Sequence, residues 1–68
     1  MREEIRELIA AHPFLPFTIF FSDGMQLEVS HPDQIMLTAN RVHVAQGSEV
    51  HRVSLLHVTR VAVKEPVA

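Results

Sequence analysis

Histidine is the residue type with the broadest chemical scope in this chain, and the chain contains five histidines. His43 and His51 lie in two alternating runs on either side of a predicted turn at 46–48. A loop with an odd number of residues there would make them cross-strand neighbours, with Cβ atoms about 5 Å apart. Glu49 would share their face, which predicts a candidate site for zinc or a similar ion. Without a metal, the adjacent imidazoles would resist joint protonation and form a pH-sensitive contact.

Nucleophilic and phosphate-binding chemistry has no recognisable motif in the chain. There is no cysteine, and the four serines stand neither in a nucleophile elbow nor beside a paired base. With two glycines, the chain lacks the glycine-rich loops that cradle phosphate. We therefore predict that the protein is not an enzyme, needs no cofactor and takes no small-molecule substrate, with the histidine site as the remaining alternative.

Three arginines in the second half of the chain, Arg41, Arg52 and Arg60, are interleaved with histidines. On assembled subunits they could form a basic rim. The formal net charge of −2 favours a solvated polar face instead, because strong nucleic-acid binders are usually basic.

The element that opens the chain is predicted to be an amphipathic helix over 2–11. Ile5, Leu8 and Ile9 recur at helical spacing and form a narrow apolar stripe. Pro13 favours an end just before it, since the residue preceding a proline avoids the helical region. A helix this short is not stable alone in water, so its stripe must pack on another element.

After Pro16 the apolar period changes to two, which predicts strands. In the first hairpin, a three-residue loop at 22–24 collects six apolar side chains on one face, whereas a two-residue loop would scatter them. The pairs in this register are Phe21 with Met25, Ile19 with Leu27 and Phe17 with Val29. Gly24 then occupies the left-handed position of the turn. Phe20 points away from the core as a candidate interface or stacking residue, unless the helix covers it.

The remaining strands are predicted from further alternating runs. Pro32 interrupts the pattern, because proline cannot donate to a β ladder. Strand patterns resume at 35–37, 41–45, 49–54 and 58–63, and 64–68 is predicted to be a frayed tail. The fold class is therefore α+β, mostly β, in a single domain over 1–68. The 2–11 helix precedes about five antiparallel strands in 17–63, which form a small barrel or a strongly curled sheet.

Length and composition favour self-association. A chain of 68 residues buries only about 60% of its unfolded surface, yet 47% of its residues are hydrophobic and the mean hydropathy is +0.14. Disulfides are excluded, so we expect some apolar surface to lie at a subunit interface.

No run approaches the roughly 18 apolar residues of a membrane span. The acidic residues Glu3 and Glu4 argue against a signal peptide, so the cytoplasm is the expected location.

Several segments together resemble an uncharacterised family of short bacterial proteins. The residues that carry this resemblance are Arg2-Glu3-Glu4-Ile5-Arg6-Glu7-Leu8, Pro13-Phe14-Leu15-Pro16-Phe17, Asp23-Gly24, His31-Pro32-Asp33 and Leu56-His57-Val58-Thr59-Arg60. The resemblance covers almost the whole chain and implies no function.

A looser resemblance concerns the fold and is carried by three segments, Phe20-Phe21-Ser22-Asp23-Gly24, Asp33-Gln34-Ile35 and Leu56-His57-Val58. They are similar to segments of the small barrels of Sm-like proteins, including Hfq, so the predicted barrel is Sm-like or SH3-like. The Sm-like resemblance implies a ring of subunits joined strand to strand. It also implies that an aromatic at Phe20 stacks bases and that His57 belongs to a Lys-His pair holding uridine-rich RNA, although Leu56 stands here in place of the lysine.

Three functional hypotheses follow from the sequence. The leading one is a non-enzymatic, self-associating Sm-like module that forms homo-oligomers and acts as a scaffold or binding unit. The alternative is an Sm-type or Hfq-type RNA-binding protein, in which Phe20, Arg41, Arg52 and His57 supply stacking and phosphate contacts. The third is a metal-binding or acid-base site at the two histidines and the glutamate described above.

Overall fold

The computed structural model describes residues 1–64, in which one helix precedes six antiparallel strands. The helix α1 is Arg2–Ala10, and the strands are β1 (Phe17–Phe21), β2 (Gln26–Val29), β3 (Ile35–Leu37), β4 (Arg41–Gln46), β5 (Glu49–Ser54) and β6 (Val58–Val63). Short 3₁₀ helices at Pro32–Gln34 and Leu55–His57 fall where the strand pattern breaks. The predicted fold class and the order of its elements are confirmed, with six strands in place of about five.

The strands form two three-stranded antiparallel sheets. Sheet 1 has the order β2-β1-β6, and sheet 2 has the order β3-β4-β5. Over the described residues no strand of one sheet pairs with a strand of the other, so the sheets do not close into a barrel. The chain crosses between the sheets at its two 3₁₀ helices.

The register predicted for the first hairpin is confirmed. β1 and β2 pair with Ile19 opposite Leu27. The Phe21 N–H donates to the Met25 carbonyl at 2.9 Å, which closes the predicted three-residue loop. Gly24 in that loop has a φ of +90°, as expected for its left-handed position.

One cluster of buried apolar side chains joins both sheets and the helix. Its members are Ile5, Phe17, Ile19, Phe21, Leu27, Val29, Ile35, Val42 and Val44. Ile5 is the fully buried residue of α1, whereas Leu8 and Ile9 pack at the margin of the cluster. The predicted apolar stripe of the helix is therefore confirmed as the face that docks on the sheets.

The register predicted for the second hairpin is wrong. β4 and β5 join through a two-residue loop, Gly47-Ser48, with Gln46 opposite Glu49. Gly47 has a φ of +62°, and no described residue other than glycine has a positive φ. This combination indicates a type II′ turn, whose twist matches that of the flanking strands. The pairing is shifted by one residue from the predicted loop, which turns the side chains of β5 to the opposite face.

The side-chain amide of Gln34 ties the two sheets together where the chain first crosses between them. Its Oε1 accepts the backbone N–H groups of Ser30 (2.8 Å) and His31 (3.1 Å). Its Nε2 donates to the carbonyl of Glu28 in sheet 1 (3.3 Å) and to that of Ala45 in sheet 2 (2.8 Å). The predicted interruption of the strand pattern is therefore a turn held by one side chain.

The tail predicted at 64–68 lies, apart from Lys64, outside the described residues. The Lys64 N–H donates to the Pro16 carbonyl at 2.8 Å, one step beyond the paired residues of β1 and β6. Its Nζ lies 3.4 Å from the Glu28 Oε1.

Candidate interaction surfaces

The predicted histidine cluster does not form. The observed register places His43 opposite Arg52 and His51 opposite Val44, so the two histidines lie on opposite faces of sheet 2. Glu49 does share a face with His51, and its Oε1 lies 3.3 Å from the His51 Nε2. Protein zinc sites use three or four such ligands, and no group of three His, Cys, Asp or Glu side chains comes together in the described part of the chain. The predicted three-residue metal site is therefore wrong, whereas His51 and Glu49 remain neighbours.

Two of the predicted RNA contacts, Arg41 and Arg52, lie on one surface. The outer face of sheet 2 consists of Met36, Arg41, His43, Ala45, Val50, Arg52 and Ser54, because Val42 and Val44 of β4 point into the core. Arg41 and Arg52 occupy diagonal positions beside His43 on this face. None of its seven residues is acidic, so the outer face of sheet 2 carries positive charge without a neighbouring carboxylate of its own.

His43 occupies the centre of this face, between its cross-strand neighbours Met36 and Arg52. Its Nε2 is buried and has no hydrogen-bond partner among the described residues. A buried polar atom without a partner lowers stability. The imidazole of His43 therefore packs among the side chains of the outer face of sheet 2.

Phe20 points away from the core, as predicted, and its ring is partly covered. It lies on the outer face of sheet 1, opposite Arg60 of β6. The guanidinium carbon of Arg60 is 3.9 Å from the centre of the Phe20 ring, which is a cation–π contact. One face of the ring that the Sm-like resemblance assigns to base stacking is therefore already occupied by a cation.

His57 lies on a third surface, at the end of the Leu55–His57 3₁₀ helix. Its carbonyl accepts the Ser22 N–H at 2.8 Å, and its Nδ1 lies 3.5 Å from the Ser22 Oγ. Beside this contact is a pocket of about 230 Å³, here named the Phe21 pocket, which is lined by Phe21, Ser22, Asp23, Met25, Val53 and His57. The four predicted RNA residues are thus spread over three surfaces.

Sequence reasoning missed the Phe21 pocket because its lining comes from three distant segments. The first hairpin supplies most of the wall, β5 supplies Val53, and the second 3₁₀ helix supplies His57. No pattern of spacing marks such a site. The early turn and the late helix are brought together by the pairing of β1 with β6.

The long edge strand of sheet 2 is β5, which has six residues and pairs, within the described chain, with β4 alone. A two-residue loop makes Gln46 and Glu49 a hydrogen-bonded pair, and such pairs alternate along an antiparallel ladder. The residues between them, Val50, Arg52 and Ser54, therefore direct their backbone N–H and C=O groups away from β4. These groups form a free edge.

The long edge strand of sheet 1 is β6, which also has six residues and pairs with β1 alone among the described strands. Lys64 hydrogen-bonds back to Pro16, so the alternation directs the backbone groups of Val61 and Val63 outward. A register shift opposite Phe20 disturbs the first half of β6. The regular second half offers the other free edge.

Exposed apolar side chains accompany these edges. The large hydrophobic residues that are exposed in the described chain are Met1 (41%), Met36 (59%), Val50 (55%) and Leu56 (92%). Val50 lies on β5, and Leu56 lies in the 3₁₀ helix that joins β5 to β6. Two of the four exposed large hydrophobic residues therefore lie on β5 or in the link that follows it.

No helix in the described residues has the length and hydrophobicity needed to cross a membrane. Comparisons of the chain with models of protein families, with curated proteins and with solved structures found no match. The two resemblances noted in the sequence therefore stay predictions, and a function must be argued from the surfaces described above.

Proposed function

We propose that the protein is a non-enzymatic module that assembles with copies of itself and serves as a scaffold or binding unit. The observation that carries this proposal is the pair of free edges, one along β5 and one on the second half of β6. Unpaired N–H and C=O groups along an edge are a template for the addition of another strand. In the assembled protein, the β5 edge of one copy pairs with the β6 edge of the next.

Two of the features that usually block strand addition, proline and lysine, are missing from both edges. Natural edge strands are commonly protected by proline, by lysine or by bulges. Neither residue type occurs within β5 or β6, and the register shift of β6 lies near its start. Strand addition at β5 would also cover Val50, which is 55% exposed in the single chain.

Pairing of two different edges determines the kind of assembly. A contact between β5 and β6 is head-to-tail, because the two partners use different surfaces. Such contacts form a ring when the rotation between copies closes and a filament when it does not. A closed ring is the form that the Sm-like resemblance implies.

A proline at the β5 edge tests the proposal. Arg52 directs its N–H outward, so Arg52→Pro removes one donor from the edge and leaves the hydrogen bonds to β4 in place. Arg52→Ala is the matched control, since it removes the same side chain and keeps the donor. We expect light scattering to show loss of assembly in Arg52→Pro and its retention in Arg52→Ala, with equal circular dichroism for the two variants.

Two results would count against the proposal. If both variants assemble equally, pairing does not use the β5 edge. If the wild-type chain itself stays monomeric, self-association is wrong as a whole, whatever the variants do.

RNA binding is a second candidate, favoured by the outer face of sheet 2. That face holds Arg41 and Arg52 on neighbouring strands with no acidic residue among its members. Cations in such an arrangement bind phosphates, and their affinity falls as salt rises. Phe20 and His57 lie on other surfaces, so the phosphate contacts rather than stacking would dominate.

Binding of uridine-rich and adenine-rich RNA at low salt tests this candidate. Arg52→Gln should weaken binding several-fold, because one phosphate contact is lost. Arg6→Gln, which removes an exposed cation from α1, should leave binding unchanged. Absence of any binding at low salt, or equal weakening by both substitutions, would remove the candidate.

A further inference from the structure

We infer that Leu56 of one copy inserts into the Phe21 pocket of another copy and anchors the assembly. This inference rests on the self-association proposed above and identifies the side chain and the cavity that hold the copies together. The partner is a second copy of this chain.

Leu56 is the most exposed large hydrophobic residue of the described chain, at 92%. Its backbone is nevertheless fixed on both sides: the Leu56 N–H donates to the Ser54 Oγ at 3.3 Å, and the His57 carbonyl accepts the Ser22 N–H at 2.8 Å. The preceding residue is also held, because the Leu55 N–H donates to the Asn40 carbonyl at 2.9 Å. A protruding apolar side chain on a fixed backbone loses little freedom on binding.

The Phe21 pocket has the size and the chemistry to receive such a side chain. Its volume of about 230 Å³ is below the roughly 300–1,000 Å³ typical of small-molecule sites, so it suits one aliphatic group. Phe21, Met25 and Val53 provide apolar walls.

The polar groups at the rim of the pocket already have partners within the chain. The Asp23 Oδ1 accepts the Met25 N–H at 2.9 Å, and the Ser22 hydroxyl lies 3.5 Å from the His57 ring nitrogen. An apolar side chain can therefore enter without breaking these contacts, which favours leucine over a hydrogen-bonding ligand.

The positions of the leucine and the pocket explain why a second copy is the occupant. Leu56 directly precedes His57, which lines the pocket, yet its own exposure means that it does not fill the pocket of its own chain. Leu56 lies in the link between β5 and β6, and the pocket residues Val53 and His57 border that link, so antiparallel pairing of those edges brings the links of two copies together.

The dissociation constant of assembly, measured by light scattering over a dilution series, tests the inference. Leu56→Ser should raise this constant by about tenfold or more, because a buried leucine is lost from each contact. Met36→Ser is the matched control, since Met36 is an exposed hydrophobic residue on the outer face of sheet 2, away from the pocket. Leu56→Met should keep assembly close to that of the wild type.

A direct contact measurement completes the test. In a mixed sample of isotope-labelled and unlabelled chains, isotope-filtered NMR should show cross-peaks from the Leu56 methyl groups of one chain to the Phe21 ring of another. If the wild type assembles while Leu56→Ser assembles equally well and no such cross-peaks appear, the anchor is wrong and edge pairing stands. If the wild type does not assemble at any concentration, the anchor and the proposed function both fail.

Discussion

Gln34 is the residue whose role is least visible in the sequence. Its amide meets four backbone groups drawn from both sheets and the turn between them. Three of these groups, from Glu28, Ser30 and His31, lie within six residues of Gln34 in the sequence, whereas the Ala45 carbonyl meets it only in the fold. The burial of Val42 and Val44, in contrast, follows directly from alternation along one strand.

Replacement of Gln34 should therefore destabilise the fold. We expect Gln34→Ala to lower the free energy of unfolding by about 1–3 kcal/mol, since backbone groups that it satisfies lose their partner. Gln26→Ala, at an exposed position of β2, is the matched control and should have little effect. Urea denaturation followed by circular dichroism measures both. Equal stability of the two variants would show that the Gln34 amide does not hold the sheets.

Replacement of His43, unlike that of Gln34, should not lower the free energy of unfolding. The buried Nε2 of His43 has no hydrogen-bond partner among the described residues, which lowers stability. His43→Leu should therefore leave the free energy of unfolding unchanged or raise it by up to about 1 kcal/mol. The same urea titration measures the change. A loss of more than about 1 kcal/mol would mean that the imidazole nitrogen makes a hydrogen bond that the single chain does not reveal.

The two hairpins show what decides a register at the scale of elements. In β1 and β2, apolar residues recur at every second position of both strands, so only one loop length buries them together. In β5, Val50 and Val53 are three residues apart and point to opposite faces, so facing alone does not select a register. The turn residues select it instead, because Gly47-Ser48 suits a two-residue type II′ turn. This turn signal is present in the sequence. A two-residue loop at Gly47-Ser48 predicts that His43 and His51 lie on opposite faces of the sheet.

Substitution at the second turn tests this explanation. Gly47 has a φ of +62°, and a Cβ placed there would meet no atom within 4 Å. Gly47→Ala should therefore lower the free energy of unfolding by about 1–2 kcal/mol through backbone strain alone. Ser48→Ala, at the adjacent position of the same turn, should have a small effect. Thermal or urea unfolding that shows no difference between the two variants would contradict the turn type.

At the scale of the whole molecule, local patterns predict the elements and leave their arrangement open. The helix, the strand segments and the surplus of apolar surface follow from periodicity and composition. The order of strands in the sheets, the identity of the free edges and the Phe21 pocket depend on the pairing of β1 with β6, which joins opposite ends of the described chain. Closure of a barrel also depends on pairing between the two sheets. Alternation along single strands does not determine that pairing, so the sequence leaves a closed barrel and an open, strongly curled sheet as alternatives.

Self-association is a property of the whole molecule, and the molar mass of the wild-type chain in solution tests it most directly. Light scattering should be recorded over a dilution series from about 1 μM to 1 mM, because assembly depends on protomer concentration. Pairing between the β5 and β6 edges predicts a mass above that of the 7.7 kDa chain, which decreases towards that value on dilution. A mass of 7.7 kDa at every concentration would contradict the assembly of this protein through its free strand edges.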